Sequence, residues 1–254
     1  MNDGKRYETI FEVRFNDTGR HSLITPMALF GFLQETAISH AESRGFPAEF
    51  LAEHHWTWVL NRVHLRVRHY PRWREKVVVT TWPSNLSGLY ATREFLIADG
   101  SGRACGAATS RWVLVDVARK RAIRIPERIA DGFYTDTERA IDDPFPREKE
   151  VETATLEKEF HVRLSDLDTN QHANSGSYFD WFLETVPTDV LTDLVPKTVE
   201  ITYKRESVLG DTLRVKSAET EMPESQGRGF SHTIVRAADD AVVALGKSFW
   251  GAER

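Results

Sequence analysis

Between residues 165 and 174 the chain reads Ser-Asp-Leu-Asp-Thr-Asn-Gln-His-Ala-Asn, with Asp168, Asn170 and His172 at alternate positions. In an extended loop alternate side chains point the same way, so a carboxylate, an amide and an imidazole can converge. A helix is expected to begin two or three residues beyond His172. Its first residues, Asn174 and Ser175, would present free backbone N–H groups and a positive dipole end, suited to a developing oxyanion. A base, an orienting group and oxyanion donors are the parts from which hydrolysis of an acyl group can be assembled. Each part alone has a plainer reading. Asp and Asn ahead of a helix are commonly turn or cap residues, His172 could be a satisfied loop histidine, and Asn174 reads as the helix N-cap.

The elements around this loop occur twice. Residues 11–36 set over 160–185 agree at seven of 26 positions without a gap, among them Phe11/Phe160, Arg14/Arg163, Asp17/Asp166 and Glu35/Glu184. Two copies fit an internal duplication better than a solenoid. Each opens with an alternating strand, at 11–15 and 160–164, followed by a polar loop and a helix. The first helix is expected over 26–43, capped by Thr25, opened by Pro26 and ended by Gly45. The second is expected over 174–186, ended by Pro187. Short amphipathic pieces follow at 47–54 and 188–194.

The period then changes from 3.6 to 2. Strands are expected at 63–70, 76–82, 89–98 and 103–117, and again at 198–205, 212–221, 229–237 and 241–250. Turns fall at Asp99–Gly102, Met222–Arg228 and Asp239-Asp240. One long helix against a curved antiparallel sheet in each half is an α+β layer solution, and the order β-α-β-β-β-β matches the hotdog fold. The charged, proline-containing segment 137–157 reads as a linker between an N-terminal hotdog, 1–136, and a C-terminal one, 158–254.

Composition narrows the class. The 254 residues are 41% hydrophobic and 11% aromatic, as in ordinary globular proteins. No run of 18 apolar residues exists, and the N-terminus lacks the apolar core of a secretory signal. A single cysteine, Cys105, excludes an internal disulfide and a multi-thiolate metal site. The chain therefore reads as soluble and cytoplasmic, with no membrane association. Net charge is −5, so general nucleic-acid binding is disfavoured. Residues 1–150 hold 22 Lys+Arg against 20 Asp+Glu, whereas residues 151–254 hold 11 against 18. Any basic surface belongs to the first half. The adjacent His54 and His55 point apart on a helix and lack a carboxylate partner at ligand spacing, so no metal is expected. Cys105 reads as inert core, and Trp56, Trp58, Trp82 and Trp112 as core or pocket wall.

The stretch DLDTNQHANSGSYFDWFLETVP, together with TPMALFGFLQETA in the first half, resembles the acyl-acyl-carrier-protein thioesterases, which are tandem hotdogs. The resemblance extends over nearly the whole chain. It implies hydrolysis of the thioester of fatty acyl-carrier protein, ending fatty acid synthesis, without a cofactor. It also implies a strand-end glutamate some thirty residues beyond the motif, here Glu206 in Tyr203-Lys-Arg-Glu-Ser207. Members discussed as cysteine enzymes carry Cys beside that glutamate. This chain has Ser207 there, so a Cys–His mechanism is disfavoured and carboxylates remain. The repeat agrees: the first-half counterparts of Asp168, Asn170, His172 and Glu206 are Gly19, His21, Leu23 and Tyr70. One half is expected to catalyse and the other to shape the acyl pocket.

The expected chemistry is activation of water by His172 and Glu206, or direct attack by Glu206. Asp168 would orient the imidazole or the backbone around it, and Asn170 would hold the carbonyl or the water. Arg62, Arg66, Arg68, Arg72, Arg74 and Lys76 form a cluster that is either a solvated sheet face or a docking site for an acidic carrier protein. A second basic cluster spans Arg119, Lys120, Arg121 and Arg124. A tandem hotdog contains the usual hotdog dimer in one chain, so a monomer or a homodimer is expected. An acyl-CoA thioesterase of this fold would share the site, and a non-catalytic acyl-binding protein is the rival from another class. The hotdog hydratase pattern Asp-x-Asn-Pro-x-His is unmet, and the dehydratase pattern His-x-x-x-Gly-x-x-x-x-Pro is half met by His172 and Gly176, with Trp181 where its proline belongs.

Overall fold

A computed structural model describes residues 5–221 and 227–253. Its chain forms two compact units, Met1–Val63 with His69–Pro144, and Phe145–Arg254 with His64–Arg68. The first holds β1 (Tyr7–Glu12), α1 (Pro26–Ser43), α2 (Ala48–Glu53), β2 (Trp56–Val67, counted with the second unit from His64 on), β3 (Lys76–Ser87), β4 (Tyr90–Asp99), β5 (Ala104–Asp116), β6 (Arg121–Ala122) and α3 (Glu127–Gly132). Its strands run in the order β1-β3-β4-β5-β2, with β6 on β5. The second holds β7 (Leu156–His161), α4 (Ser177–Leu183), α5 (Thr188–Asp193), β8 (Val195–Tyr203), β9 (Thr212–Thr220), β10 (Arg228–Arg236) and β11 (Val242–Gly251), ordered β8-β11-β10-β9-β7. Each unit is thus a helix laid on a largely antiparallel sheet, the α+β hotdog arrangement expected twice. No helix among the described residues is long and apolar enough to cross a membrane.

In the first unit the Thr25 hydroxyl accepts the Ala28 N–H at 3.1 Å and Pro26 opens α1, so helix and expectation coincide. Leu29, Phe30, Phe32 and Leu33 are buried on its sheet side, against β1 and β3. Gly45, at φ +82°, supplies the left-handed residue beyond the helix. In the second unit α4 packs on β8, β9 and β11 through Phe179, Phe182 and Leu183. A Cβ at Gly246 would lie 2.4 Å from Phe182 and 2.2 Å from the Glu200 carbonyl, so glycine lets this helix approach β11.

Four expectations are corrected. The opening strands end at Glu12 and His161 rather than running on to 15 and 164. The Asp17 and Asp166 carboxylates capture the backbone N–H groups of Arg14 and Arg163, both at 2.8 Å, and their guanidinium groups, turning the chain into a short 3-10 helix. The second helix is not long: it spans seven residues from Ser177, not 174–186. The Asn174 side chain accepts the Gly176 N–H at 2.7 Å, a turn that delays its start, so Asn174 is not the N-cap. Pro187 bars the helical conformation just beyond its end and opens α5 instead.

The segment expected as a linker is anchored over much of its length. Glu94, fully buried on β4, accepts from Ser84, Thr109, Arg139 and the Ala140 N–H. The Trp82 indole donates to the Glu138 carbonyl, Val151 N–H donates to Thr233, and Leu156 and Glu157 already belong to β7. The expected turn at 222–228 falls largely outside the described residues, and the elements β6 and α3 were unforeseen.

Candidate active site

The loop ahead of α4 is a tight turn rather than an extended run. Asp168 N–H donates to the His172 carbonyl at 2.8 Å, Gln171 N–H returns to the Asp168 carbonyl at 3.1 Å, and Gln171 sits at φ +64°. A bridge between Leu167 and Ala173 closes the turn, and one between His172 and Val208 ties it to the segment after β8. Convergence by alternate spacing is therefore not how the side chains meet. The Asp168 carboxylate accepts the N–H groups of Asn170 at 2.8 Å and His172 at 3.2 Å. It orients the backbone under the imidazole, not the ring itself.

What the turn accomplishes is placement of the histidine. His172 Nε2 lies 3.4 Å from Glu206 Oε2, although the two are 34 positions apart. Their side chains are 39% and 67% exposed, so water and a reacting group reach both. Asn170 is exposed on the same turn, and its side-chain amide makes no hydrogen bond among the described residues. Asp168, His172 and Glu206 are thus linked, Asp168 through the His172 N–H, whereas Asn170 joins the turn by its backbone N–H and not by its side chain.

Beside the pair lies a polar layer of which the sequence singled out Ser175 and Ser207 but not Tyr178, Arg236 or Asp211. The Tyr178 hydroxyl donates to the Ser207 hydroxyl at 3.2 Å, both buried, and burial pushes the phenol up to about 12. Tyr203 donates to the Ser175 carbonyl at 2.8 Å. From the end of β10 the Arg236 guanidinium donates to the Glu206 carbonyl at 2.7 Å and lies 3.3 Å from the Asp211 carboxylate. Asp211 in turn accepts the Val208 N–H at 3.0 Å. Tyr178 stands out in the repeat, where its counterpart is Leu29; Arg236 carries no such mark until the strand register is known.

Of the oxyanion donors expected at Asn174 and Ser175, the one at Asn174 is corrected. These residues precede a helix of only seven residues. Asn174 N–H already donates to the Asp166 carbonyl at 2.7 Å, and Ser177 N–H to the Asn174 carbonyl at 2.9 Å. Arg62 is corrected as well: at 1% exposure it is buried, with Asp143 at 3.8 Å, and cannot dock a partner. Arg66, Arg68, Arg72, Arg74 and Lys76 are exposed, and Arg74 stacks on the exposed Trp73 at 4.3 Å. Cys105 is buried, and burial pushes its thiol up to about 11, as suits inert core.

Family models for the acyl-ACP thioesterase N-terminal domain and the acyl-ACP thioesterase C-terminal domain match residues 4–133 and 149–251. The chain belongs to the acyl-ACP thioesterase family. A palmitoyl-acyl carrier protein thioesterase of Gossypium hirsutum is 27% identical over 98% of this chain, and an oleoyl-acyl carrier protein thioesterase of Coriandrum sativum is 29% identical over 80%. The chain spans only 65% and 60% of the length of those two relatives. Among solved structures, an acyl-ACP thioesterase from Bacteroides thetaiotaomicron superposes with a TM-score of 0.86 at 25% identity, covering 98% of this chain and 99% of that one. The 12:0-ACP thioesterase of Umbellularia californica also gives 0.86 at 25%, covering 98% and 95%. Both are acyl-ACP thioesterases of the double-hotdog fold, and this chain shares that fold.

Proposed function

We propose that this family member hydrolyses the thioester of a fatty acyl-carrier protein, with Glu206 and His172 as its catalytic residues. The observation that carries the reading is the 3.4 Å approach of the imidazole to the carboxylate at an open surface. A water held between them loses a proton to the pair while its oxygen attacks the thioester carbonyl. The tetrahedral intermediate collapses, the C–S bond breaks, and the proton passes to the departing thiolate, leaving free fatty acid and carrier-protein thiol. Asp168 is a positioning residue acting through the His172 N–H, and the free amide of Asn170 is available to hold the carbonyl oxygen. No step calls for a cofactor.

The acidic carrier protein would be steered by the exposed Arg66, Arg68, Arg72, Arg74 and Lys76, without Arg62. The membership of the chain in the family supports this substrate, and the Gossypium hirsutum and Coriandrum sativum relatives bear names of that activity.

The test is the initial hydrolysis rate on palmitoyl-carrier protein and palmitoyl-CoA, for the wild type, His172→Ala and Glu206→Gln. Fast release from the carrier protein alone, lost in both variants, supports the reading. Equal rates on the two substrates indicate an acyl-CoA thioesterase, and near-normal turnover in the variants overturns the assigned pair.

A further inference from the structure

We propose that Arg236 is a positioning residue for the reaction, holding the segment that carries Glu206 so that its carboxylate meets His172. The inference rests on the reading of that pair as catalytic.

Glu206 lies beyond the end of β8, in a stretch without regular structure, and it needs an anchor to keep a fixed distance from the turn opposite. Arg236 provides it at two points. One arm of the guanidinium bonds the Glu206 carbonyl at 2.7 Å, and another edge faces Asp211 at 3.3 Å. Asp211 holds the N–H of Val208, the residue bridged to His172. The arginine therefore reaches the carboxylate's own backbone directly and the histidine's strand partner through one intermediate. A third contact, to Asp239 at 3.4 Å, is exposed. A guanidinium suits this task, since one nitrogen bonds the carbonyl while its charge faces Asp211 as an ion pair, and a lysine ammonium is a point contact.

The repeat supplies an internal control. Phe11 and Phe160, identical in the two copies, pair with Val77 and Leu213. Those residues pair in turn with Asp99 and Arg236. The first half therefore carries an aspartate where the second carries the arginine. Asp99 is turned to local work, accepting from Ser101 and Arg103 in its own hairpin. Yet Asp211 has a counterpart in Glu75, which accepts the Arg72 N–H at 2.8 Å as Asp211 accepts that of Val208. The backbone of this turn closes in both halves, so its fold does not require the arginine. The clamp occurs where a carboxylate must be aimed, and is missing where Tyr70 replaces that carboxylate.

The experiment is steady-state turnover of palmitoyl-carrier protein by Arg236→Met and Arg236→Lys, beside His172→Ala and Glu206→Gln, with thermal unfolding of each. Expected for Arg236→Met is a kcat lower by about 10- to 100-fold, with KM changed by less than about twofold, because only the reacting geometry is disturbed. Arg236→Lys should recover part of kcat. If Arg236→Met does not fold, Asp211→Asn keeps an acceptor for Val208 N–H while removing the charge facing Arg236. It should then lower kcat by about 3- to 10-fold at an unchanged unfolding midpoint. Full kcat in whichever of these variants folds, while His172→Ala and Glu206→Gln are inactive, overturns the role of Arg236 and leaves the catalytic pair standing. A parallel loss of kcat and unfolding midpoint, with no recovery by lysine, also overturns it, as a merely structural residue. Activity retained by His172→Ala and Glu206→Gln would remove the pair itself.

Discussion

The turns at 167–173 and 18–24 close through corresponding bridges with different side chains, although His21 takes a left-handed φ of 58° that its counterpart Asn170 does not. Thr18 bridges Ile24 as Leu167 bridges Ala173, and Leu23 bridges Arg72 as His172 bridges Val208. Gly19 N–H donates to the Leu23 carbonyl at 2.9 Å as Asp168 N–H donates to that of His172. The Arg14–Asp17 clasp repeats as Arg163–Asp166; in each, burial would raise the carboxyl, and the arginine's bonds and charge outweigh it. Where the second turn presents a solvent-accessible His172, the first presents a buried Leu23. Where the second has an exposed Glu206, the first has Tyr70, buried at 2%. The backbone scheme is therefore a means of positioning, and chemistry is a separate layer laid on one copy.

That separation can be broken by substitution. The largest effect is expected at His172→Ala and Glu206→Gln, with turnover down about 10²- to 10⁴-fold. Both side chains are open to solvent, so calorimetry should find the unfolding midpoints nearly unchanged; a large drop in midpoint would mean the pair is structural. Leu23→Ala is the reverse case. It should cost about 2–4 kcal/mol in denaturant unfolding through lost burial, while the folded fraction keeps the wild-type kcat.

Asp180 sharpens the contrast further, since its counterpart in the first copy is Gly31. Burial, then the neighbouring Glu184 and Asp166, push its carboxyl up to about 6. The folded state thus holds a proton that the unfolded chain, with an ordinary carboxyl, releases near pH 4. Stability contributed by this group is present below that value and is lost as pH rises towards 6. Asp180→Asn should therefore stabilise the protein by about 2 kcal/mol above pH 6 and by little near pH 4, as chemical denaturation across that range would reveal. His232 works in the opposite direction. Burial between Ser217 and Ser248 lowers its imidazole to about 3, so stability should fall as pH drops from about 6.5 towards that value. The smallest effect is reserved for Asp168→Asn, which retains an acceptor for the Asn170 and His172 N–H groups and should lower kcat by less than about threefold. Asp168→Ala should cost more, because Gly19 shows that the turn closes without that carboxylate but only where no histidine needs to be aimed.

Much of this was legible in the chain because local chemistry decided it. Thr25, Pro26 and Gly45 bound α1 by capping alone, and the period-2 runs locate most strands. The second helix was misjudged because Tyr178, Trp181, Phe182 and Thr185 keep a helical spacing that says nothing of the turn made by the Asn174 side chain. The opening strands were set too late because Phe11, Val13 and Phe15 alternate even though Asp17 has already turned the chain. Of the site, His172 and Glu206 were visible through the family motif and through their loss in the first copy. Arg236 was not, since its place follows from the register of β9 and β10. Arg62 was misread because a strand arginine among basic neighbours resembles a surface residue, whereas Asp143 is brought to it only by the fold.

Cys105 has a practical consequence. It is the chain's one thiol, fully buried on β5, with its sulfur 3.5 Å from the Arg103 carbonyl. With the thiol held up to about 11, little thiolate forms near neutrality. An alkylating reagent added to the native protein therefore has nothing to attack until β5 comes loose. Each molecule that gains a label has opened at least once, and with a reagent that outpaces reclosing the rate of mass gain becomes a clock for local unfolding of the first unit, read without touching the residues of the second.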